Sequence, residues 1–408
     1  MLSETIDGRP RAAYPRPGRP ATAGLATPAQ LRVRRALNTR PACPPRTLHG
    51  AFFRHALRTP YAAAVRFGDG GTLTYGELAV RALRAAARLT ARGVRPGDRV
   101  ALTLPPGPQH AVAVLAVLSA GATYTPLSPG GLRVVEAIGE GSAVFVESGE
   151  PARPVGVAAE STAYVAFTAG RGGAPKAVEV SHRAAANTVD ALVERYGMDD
   201  TDVTFAASPL SSDLSVFELF AAWTVGGSVV LPEADATAAR HAELAARWGV
   251  TVLNGVPSVL EGLLAQDRPL PMLRLALLGR AEFRPGLPGR AARRLPGCLL
   301  ARLGGATETA LYATVSEYLG RPGTVPYGVP LRGTACRVVD GRGLDRPDGV
   351  AGELWIGGAC LAEGYADDTV ATAAAFPVRD GIRWHRTGDV ARYRPGGALE
   401  FLGRATPP

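Results

Sequence analysis

The sequence has almost no lysine, little cysteine and no long apolar run. Its 4 cysteines (Cys43, Cys298, Cys336 and Cys360) include no CxxC pair, which argues against a disulfide framework or a zinc site and is typical of a reduced, cytoplasmic protein. The longest apolar stretch, 111–120, is too short to cross a bilayer and predicts a buried helix rather than a membrane segment. Residues 1–7 carry acidic side chains and no apolar core, so we expect no secretory signal.

The basic side chains are arginine with one exception. Lys176 is the only lysine among 45 basic residues, a bias that a GC-rich genome would produce. A lysine that survives such a bias suggests a site where a compact charge suits phosphate oxygens better than a wide guanidinium. Much of the net charge of +9 lies in residues 1–47, which are rich in arginine and proline and predict a disordered tail or linker. No nucleic-acid-binding fingerprint accompanies this charge, so we predict no nucleic-acid partner.

From residue 48 onward the pattern is globular. Thr74 and Glu77 form a capping box that predicts a helix start, and apolar residues then recur at helical spacing. Short apolar runs alternate with helical stretches, as in parallel sheets covered by helices, whereas the short alternating strands after residue 320 predict an antiparallel sheet or small barrel. The predicted class is therefore α/β, with two helix-covered, mostly parallel sheets and a small antiparallel, barrel-like sheet. Predicted strands include 143–146, 163–167, 203–206, 298–303, 334–339, 352–356 and 399–402.

A glycine-rich segment follows one predicted strand. It runs from Thr168 to Lys176 and contains Gly170, Gly172 and Gly173. Backbone N–H groups of such a loop can surround phosphate oxygens, and a lysine adds positive charge. The segment is not a Walker loop, because no Gly-Lys-Ser/Thr ending is present. The alternative is a surface loop with an incidental lysine, but the strand, the glycines and the sole lysine together favour phosphate binding.

A second glycine pair follows another apolar strand. Gly304 and Gly305 permit close approach of a ligand, Thr307 could bond to a phosphate, and Glu308 could hold Mg²⁺, which prefers carboxylate oxygens. The alternative is an ordinary capped helix start.

Two aspartates are further candidates. Asp389 lies in a predicted turn where a carboxylate could accept two hydrogen bonds from a ribose diol, although aspartates in turns are common. Asp213 enters a helix, where a buried carboxylate needs a partner such as an ammonium ligand. Considered alone, Asp213 is better explained as an N-cap.

Taken in order, these segments resemble the adenylation domains of non-ribosomal peptide synthetases, within the adenylate-forming superfamily that includes acyl-CoA synthetases and luciferases. Residues 73–78, 119–126, 352–358 and 364–365 are similar to further motifs of that family. The resemblance runs from residue 48 to Arg404. It implies a large N-terminal core over 48–404, with a β-rich subdomain and the start of a hinge over 320–404 and a tail at 405–408.

The resemblance implies a reaction in which an amino acid and ATP give an aminoacyl adenylate and pyrophosphate. The acyl group would then pass to the phosphopantetheine thiol of a carrier protein, and a small MbtH-like protein is a further partner of the family. Lys176, Thr307 and Glu308 would be catalytic, with Glu308 also holding Mg²⁺. The implied nucleotide-binding residues are Thr168, Gly170, Gly172, Gly173, Gly304, Gly305, Asp389 and Arg404.

The same resemblance implies an acyl pocket in which Asp213 pairs with the substrate α-ammonium. The pocket looks like the cysteine-selecting pattern, with aromatic residues at Phe217 and Tyr312, although that pattern has serine where Gly279 stands. An apolar pocket with a single amide suits a small thiol but would also admit another small apolar side chain. Its implied residues are Asp213, Leu214, Phe217, Asn254, Leu277, Gly279, Leu303, Leu311 and Tyr312.

The sequence also departs from the family. The phosphate loop has lost hydroxyl residues, Arg280 replaces a pocket glycine, and Thr406 replaces the hinge aspartate. The sequence ends at Pro408, just after the start of the hinge motif, so we expect the small C-terminal lid subdomain, with its catalytic lysine, to be absent. Three hypotheses follow: an enzyme completed by a lid in trans, a degenerate remnant or pseudoenzyme that acts only in binding or scaffolding, and an enzyme like the acyl-CoA ligases. Asp213 argues against the third.

Overall fold

The computed structural model describes residues 24–126, 132, 134–146, 148–168, 175–284, 286–318 and 326–405. The helices in these ranges are α1 (Pro28–Asn38), α2 (Gly50–Arg58), α3 (Tyr75–Ala91), α4 (Pro108–Ser119), α5 (His182–Arg195), α6 (Leu214–Val225), α7 (Ala238–Arg247), α8 (Pro257–Leu264), α9 (Leu287–Arg294) and α10 (Thr369–Ala375).

The strands in the same ranges fall into two groups along the chain. The first group is β1 (Ala63–Phe67), β2 (Gly71–Thr74), β3 (Arg99–Leu102), β4 (Thr123–Pro126), β5 (Glu136–Ile138), β6 (Thr162–Thr168), β7 (Lys176–Ser181), β8 (Val203–Phe205), β9 (Ser228–Leu231), β10 (Val252–Gly255), β11 (Leu275–Leu278), β12 (Leu299–Gly304) and β13 (Thr314–Glu317). The second is β14 (Val329–Pro330), β15 (Thr334–Val339), β16 (Gly352–Gly358), β17 (Gly364–Tyr365), β18 (Val378–Arg379), β19 (Ile382–Tyr393) and β20 (Leu399–Arg404).

Two large sheets have parallel strands at their centres, as predicted. One has the order β14-β13-β12-β11-β10-β8-β9-β1-β2, with parallel pairing from β12 to β1 and antiparallel strands at both ends. The other has the order β17-β7-β6-β4-β3-β5, in which β6, β4, β3 and β5 are parallel. A single apolar cluster joins the two sheets, because it contains side chains from both of them and from α3, α4, α5 and α6.

The third sheet is antiparallel and follows the change of pattern expected after residue 320. Its order is β15-β16-β19-β18, and β20 pairs with β19. The predicted α/β class is therefore confirmed.

Local signals predicted several elements well and one poorly. The capping box is present, since the Thr74 hydroxyl accepts a hydrogen bond from the Glu77 backbone and Glu77 accepts one from the Thr74 backbone. The predicted buried helix is α4, whose residues 110–119 are all buried. The strand predicted at 143–146 is wrong: Ala143–Phe145 form one 3₁₀ turn in which only Val144 is buried. A four-residue apolar run fits either structure, because periodicity cannot separate them at that length.

The described part of the segment predicted as a disordered tail is folded against the core. Thr27 and Gln30 form a capping box at the start of α1. The side chain of Arg34 is 5% exposed, pairs with Asp348 at 2.6 Å, and lies 4.0 Å above the ring of Tyr393. The prediction of disorder is therefore wrong for residues 24–47. A pair of capping residues around a proline at the first helical position was the sequence signal for this helix.

The substitution Asp348→Ala is expected to lower the free energy of unfolding by about 2 kcal/mol, because it leaves the buried Arg34 guanidinium without its carboxylate partner. Urea denaturation of the two proteins measures this difference. Arg394→Ala is the control, because Arg394 follows β19, its side chain is 41% exposed and its partner Glu400 also pairs with Arg392; this change should alter stability by less than about 1 kcal/mol. An unchanged midpoint for Asp348→Ala would mean that α1 does not depend on this contact.

Candidate active site

A cavity of about 490 Å³ lies where strands from all three sheets converge. Nine residues predicted from separate segments of the sequence line it: Thr168, Lys176, Leu303, Gly304, Gly305, Thr307, Glu308, Asp389 and Arg404. The predicted Gly170, Gly172 and Gly173 lie outside the described residues. The cavity forms at strand ends, which is where open α/β sheets place their ligands.

The sole lysine stands at one wall of the cavity. Lys176 begins β7 and lies directly opposite Thr168, the last residue of β6, so both flank the glycine-rich segment. The ammonium of Lys176 lies 4.4 Å from the ring centroid of Tyr365, a cation–π distance. The hydroxyl of Tyr365 donates a hydrogen bond of 2.9 Å to Glu308. Tyr365 thus positions a cation and a carboxylate on the same side of the cavity.

The Gly304–Glu308 segment forms another wall. Gly304 ends β12, and a Cβ atom there would lie 2.4 Å from the hydroxyl of Thr314 and 2.5 Å from the ring of Tyr327, so only glycine fits. Thr307 and Glu308 are buried in a 3₁₀ turn. The backbone carbonyl of Glu308 accepts a hydrogen bond from Ala362, which ties this turn to the segment before β17.

Asp389 lies within β19 and not in the predicted turn, and Arg404 pairs with it from β20. The guanidinium of Arg404 lies 3.2 Å from the Asp389 carboxylate. The Arg404 side chain is 72% exposed and the Asp389 side chain 12%, so the arginine reaches over the rim of the cavity while the carboxylate lies inside it.

Some lining residues were missed as site residues. His385 is buried in the cavity wall beside Phe376, and burial lowers its pKa. Tyr365 was noticed only as part of a motif. Arg280 and Arg302 also line the cavity. Arg280 had a sequence signal, since it replaces a glycine of the family pattern, whereas no local signal marks Arg302 as a lining residue.

The predicted acyl-pocket residues cluster behind the cavity. Leu214, Phe217, Leu277, Leu303, Leu311 and Tyr312 belong to one apolar cluster. The Tyr312 hydroxyl donates a 2.9 Å hydrogen bond to the side-chain oxygen of Asn254, whose amide in turn donates to the Leu214 carbonyl at 3.4 Å. A Cβ atom at Gly279 would lie 2.6 Å from the Tyr312 ring. The side chains therefore leave little room, and the single amide is already hydrogen-bonded.

Asp213 is not a helix cap in this structure. It directly precedes α6, but its side chain accepts no capping hydrogen bond. Its carboxylate is instead bound by the guanidinium of Arg280, which comes from the end of β11. The Asp213 side chain is 5% exposed and that of Arg280 25%, so the carboxylate is removed from solvent while the arginine remains partly accessible.

A second carboxyl group on α6 was not predicted as a site residue. Glu218 is fully buried beneath the pocket, and burial raises its pKa to about 8. It accepts hydrogen bonds from the backbone and hydroxyl of Ser208, at 3.0 and 2.6 Å. An acidic residue in the middle of an otherwise apolar helix was the available sequence signal.

None of the helices in the described part of the chain is both long and apolar enough to span a bilayer. Among the described residues, no three histidine, cysteine or acidic side chains are arranged to hold a metal ion.

The family model "AMP-binding enzyme" matches residues 52–133 and 132–366. Pyochelin synthetase PchE of Pseudomonas aeruginosa is 43% identical over 415 residues, which cover 94% of this chain and 29% of that protein. Phenyloxazoline synthase MbtB of a Mycobacterium species is 40% identical, over 88% of this chain and 33% of its own length. The chain thus spans about a third of the length of these curated relatives.

Solved structures agree with the sequence comparisons. The non-ribosomal peptide synthetase FmoA3 superposes with a TM-score of 0.85 and 32% identity, over 93% of this chain and 45% of the other. FmoA3 has been solved with AMPPNP and with α-methyl-L-serine-AMP bound. A long-chain fatty-acid–CoA ligase of Archaeoglobus fulgidus superposes with a TM-score of 0.80 at 19% identity, which shows a shared fold.

Proposed function

The chain belongs to the AMP-binding enzyme family, and we propose that it activates an amino acid with ATP as an aminoacyl adenylate for non-ribosomal peptide synthesis. The observation that carries this proposal is the convergence of nine predicted residues, from well-separated segments, on one cavity beside the Asp213 pocket. The bound adenylate in the FmoA3 structure supports the same use of this fold.

Different residues of the cavity would bind the phosphates and the ribose of ATP and neutralise the phosphate charge. The substrate carboxylate would attack the α-phosphorus of ATP, and the bond to pyrophosphate would break. Lys176 and Thr168 stand beside the glycine-rich segment and would hold phosphate oxygens, and Thr307 would donate to the α-phosphate. Asp389 would accept hydrogen bonds from the ribose hydroxyls. Catalysis by such a site consists largely of positioning and of neutralising developing charge.

Glu308 is the proposed ligand of Mg²⁺. Its carboxylate lines the cavity and is oriented by the Tyr365 hydroxyl. Because Mg²⁺ is usually held by one or two carboxylates together with substrate phosphates, this donor set fits the ion. When bound, the ion would neutralise phosphate charge during the transfer.

The proposed substrate is an amino acid with a small side chain, and cysteine is the specific candidate. The Tyr312–Asn254 hydrogen bond and the close contact between Gly279 and Tyr312 limit the space in an otherwise apolar pocket. The family resemblance supports cysteine within that limit. The acyl group would pass to a carrier-protein thiol, and an MbtH-like protein is a further proposed partner.

A lid subdomain supplied in trans is also part of the proposal. In the resembled family a lysine of the lid bridges the substrate carboxylate and the phosphate. In this sequence the single lysine is Lys176, which lines the cavity beside the glycine-rich segment. Adding a lid as a separate chain should raise cysteine-dependent ATP–pyrophosphate exchange by about 100-fold, because the added charge acts in the transition state. The competing candidate is a pseudoenzyme that binds without turnover, which the Arg280–Asp213 ion pair favours.

Calorimetric titration with non-hydrolysable adenylate mimics tests the site without turnover. The cysteinyl mimic is expected to bind at least about 10-fold more tightly than the leucyl mimic, because the restricted pocket disfavours the larger side chain. AMP alone serves as the control for the nucleotide half. If neither mimic binds, and AMP and ATP with Mg²⁺ do not bind either, the enzyme proposal is wrong. The chain would then be a folded remnant that binds no nucleotide.

A further inference from the structure

Arg280 occupies the boundary between the cavity and the acyl pocket. It follows β11 and Gly279, lines the cavity, and binds the carboxylate of Asp213. Its side chain is 25% exposed, whereas that of Asp213 is 5% exposed. A molecule that enters from the cavity therefore meets the guanidinium before it can reach the carboxylate.

The backbone conformation at position 280 is unfavourable for arginine. Arg280 has φ +67°, in the left-handed region that glycine adopts more readily than any residue with a Cβ atom. An arginine here is held in an unfavourable conformation by its surroundings, and the ion pair with Asp213 is the contact that can do so. The distinctive chemistry at position 280 thus lies in its guanidinium.

The guanidinium of Arg280 competes with any cationic ligand for the Asp213 carboxylate. Arginine stays charged at every physiological pH, so Asp213 is already neutralised before any substrate enters. An α-ammonium group would have to displace Arg280 from the carboxylate and then remain near a second positive charge. An acid with a neutral α-position faces neither cost, because it needs no carboxylate partner.

We propose that Arg280 is a specificity-determining residue that competes with the substrate's α-ammonium group for Asp213. The pocket consequently binds α-amino acids more weakly, relative to their desamino analogues, than it would with glycine at position 280. This inference rests on the proposed function, since it takes the cavity and Asp213 as one acyl-adenylate site.

The test compares the wild-type chain with Arg280→Gly and Arg280→Gln. Each protein is titrated with a cysteinyl-adenylate mimic and with the corresponding 3-mercaptopropionyl mimic, which lacks the ammonium group. Either variant is expected to bind the cysteinyl mimic about 10-fold more tightly than wild type, with the desamino mimic changed by less than about threefold, because a charged hydrogen-bonded contact is worth at least a factor of ten. Glycine suits the backbone at 280, and glutamine keeps much of the side chain without its charge.

Arg284→Gly is the matched control. Arg284 is four residues further along, its side chain is 78% exposed, and its ion-pair partner is Glu261. This change removes the same charge without touching Asp213, so both affinities should equal those of wild type. Thermal midpoints of all four proteins verify that each is folded.

The outcomes separate this inference from the proposed function. If wild type binds both mimics and the ratio of their affinities is the same in the Arg280 variants, the proposed adenylate site is supported, but the inference that Arg280 competes for Asp213 is wrong. If the Arg280 variants bind both mimics more weakly, Arg280 assists binding and the inference is also wrong. If no folded variant binds either mimic, both proposals fail together.

Discussion

Lowering the pH from 7 to 5 is expected to reduce the free energy of unfolding by roughly 3 kcal/mol, mainly because the buried histidines His49, His110 and His182 resist protonation in the folded protein. Burial, with Arg46 nearby, lowers the pKa of His49 to about 4. Burial, with His49 and Arg46 nearby, lowers that of His182 to about 3. Burial alone lowers that of His110 to about 4.

The hydrogen bonds of these rings agree with a neutral state. The Leu48 backbone N–H donates to Nδ1 of His182 at 3.1 Å, which requires that nitrogen to be unprotonated. Neither ring nitrogen of His110 has a hydrogen-bond partner in the described part of the chain. In the unfolded chain each ring binds a proton below its ordinary pKa near 6.5. The stability contributed by each is therefore complete above pH 6.5 and is lost as the pH falls toward 4, by roughly 2 kcal/mol each at pH 5.

Glu218 acts in the opposite direction. Burial raises its pKa to about 8, so the folded protein binds a proton that the unfolded chain, with an ordinary value near 4.5, releases. Its contribution is complete below pH 4.5 and is lost as the pH rises through 8. Between pH 7 and pH 5 it adds roughly 2.5 kcal/mol, which offsets about half of the histidine effect.

Two variants separate these contributions in urea denaturation at pH 7 and pH 5. His110→Leu should reduce the loss of stability by roughly 2 kcal/mol, because it removes one titrating ring from an apolar helix. Glu218→Gln should increase the loss by roughly 2.5 kcal/mol, because the compensating proton is no longer taken up. A pH dependence that neither variant changes would show that other groups control acid stability.

Much of the fold could be predicted because its signals are local. The capping box of Thr74 and Glu77 and the apolar spacing after it define α3 without reference to any distant residue. The predicted site residues line one cavity for a related reason. Thr168, Lys176 and Gly304 stand at ends of strands that meet at one place, although they are far apart in the chain. Asp389 reaches the same cavity from within β19, beside Arg404 of β20.

What could not be predicted depends on pairs of residues far apart in the chain. Proline and arginine around α1 suggested disorder, yet Arg34 is buried because Asp348, 314 residues away, neutralises it. Arg280 was recognised as an unusual residue, but its contact with Asp213 depends on a left-handed backbone that sequence patterns do not reveal. Glu218 had a visible signal, although its hydrogen bonds to Ser208 require the turn after β8.

The substitution Lys176→Met is expected to weaken ATP binding by about 10- to 100-fold, the range of a charge-assisted contact in a partly enclosed site. Lys176 lies beside Thr168 at the edge of the glycine-rich segment, and the Tyr365 ring holds its ammonium at the cavity wall. Methionine keeps the length and apolar stem of the side chain but removes the charge. Calorimetric titration with ATP and Mg²⁺ measures the change.

Comparison of nucleotides and variants locates the effect of Lys176. ATP carries more phosphate charge than AMP, so the loss should be larger for ATP if the ammonium contacts the outer phosphates. Lys176→Arg should recover only part of the affinity, because a planar guanidinium cannot occupy the position of a compact ammonium above Tyr365. Arg284→Gly, which removes an exposed charge outside the cavity, should bind ATP like the wild-type chain. Equal ATP affinities for wild type and Lys176→Met would mean that the only lysine of the sequence does not contact the phosphates, and the role proposed for it here would be wrong.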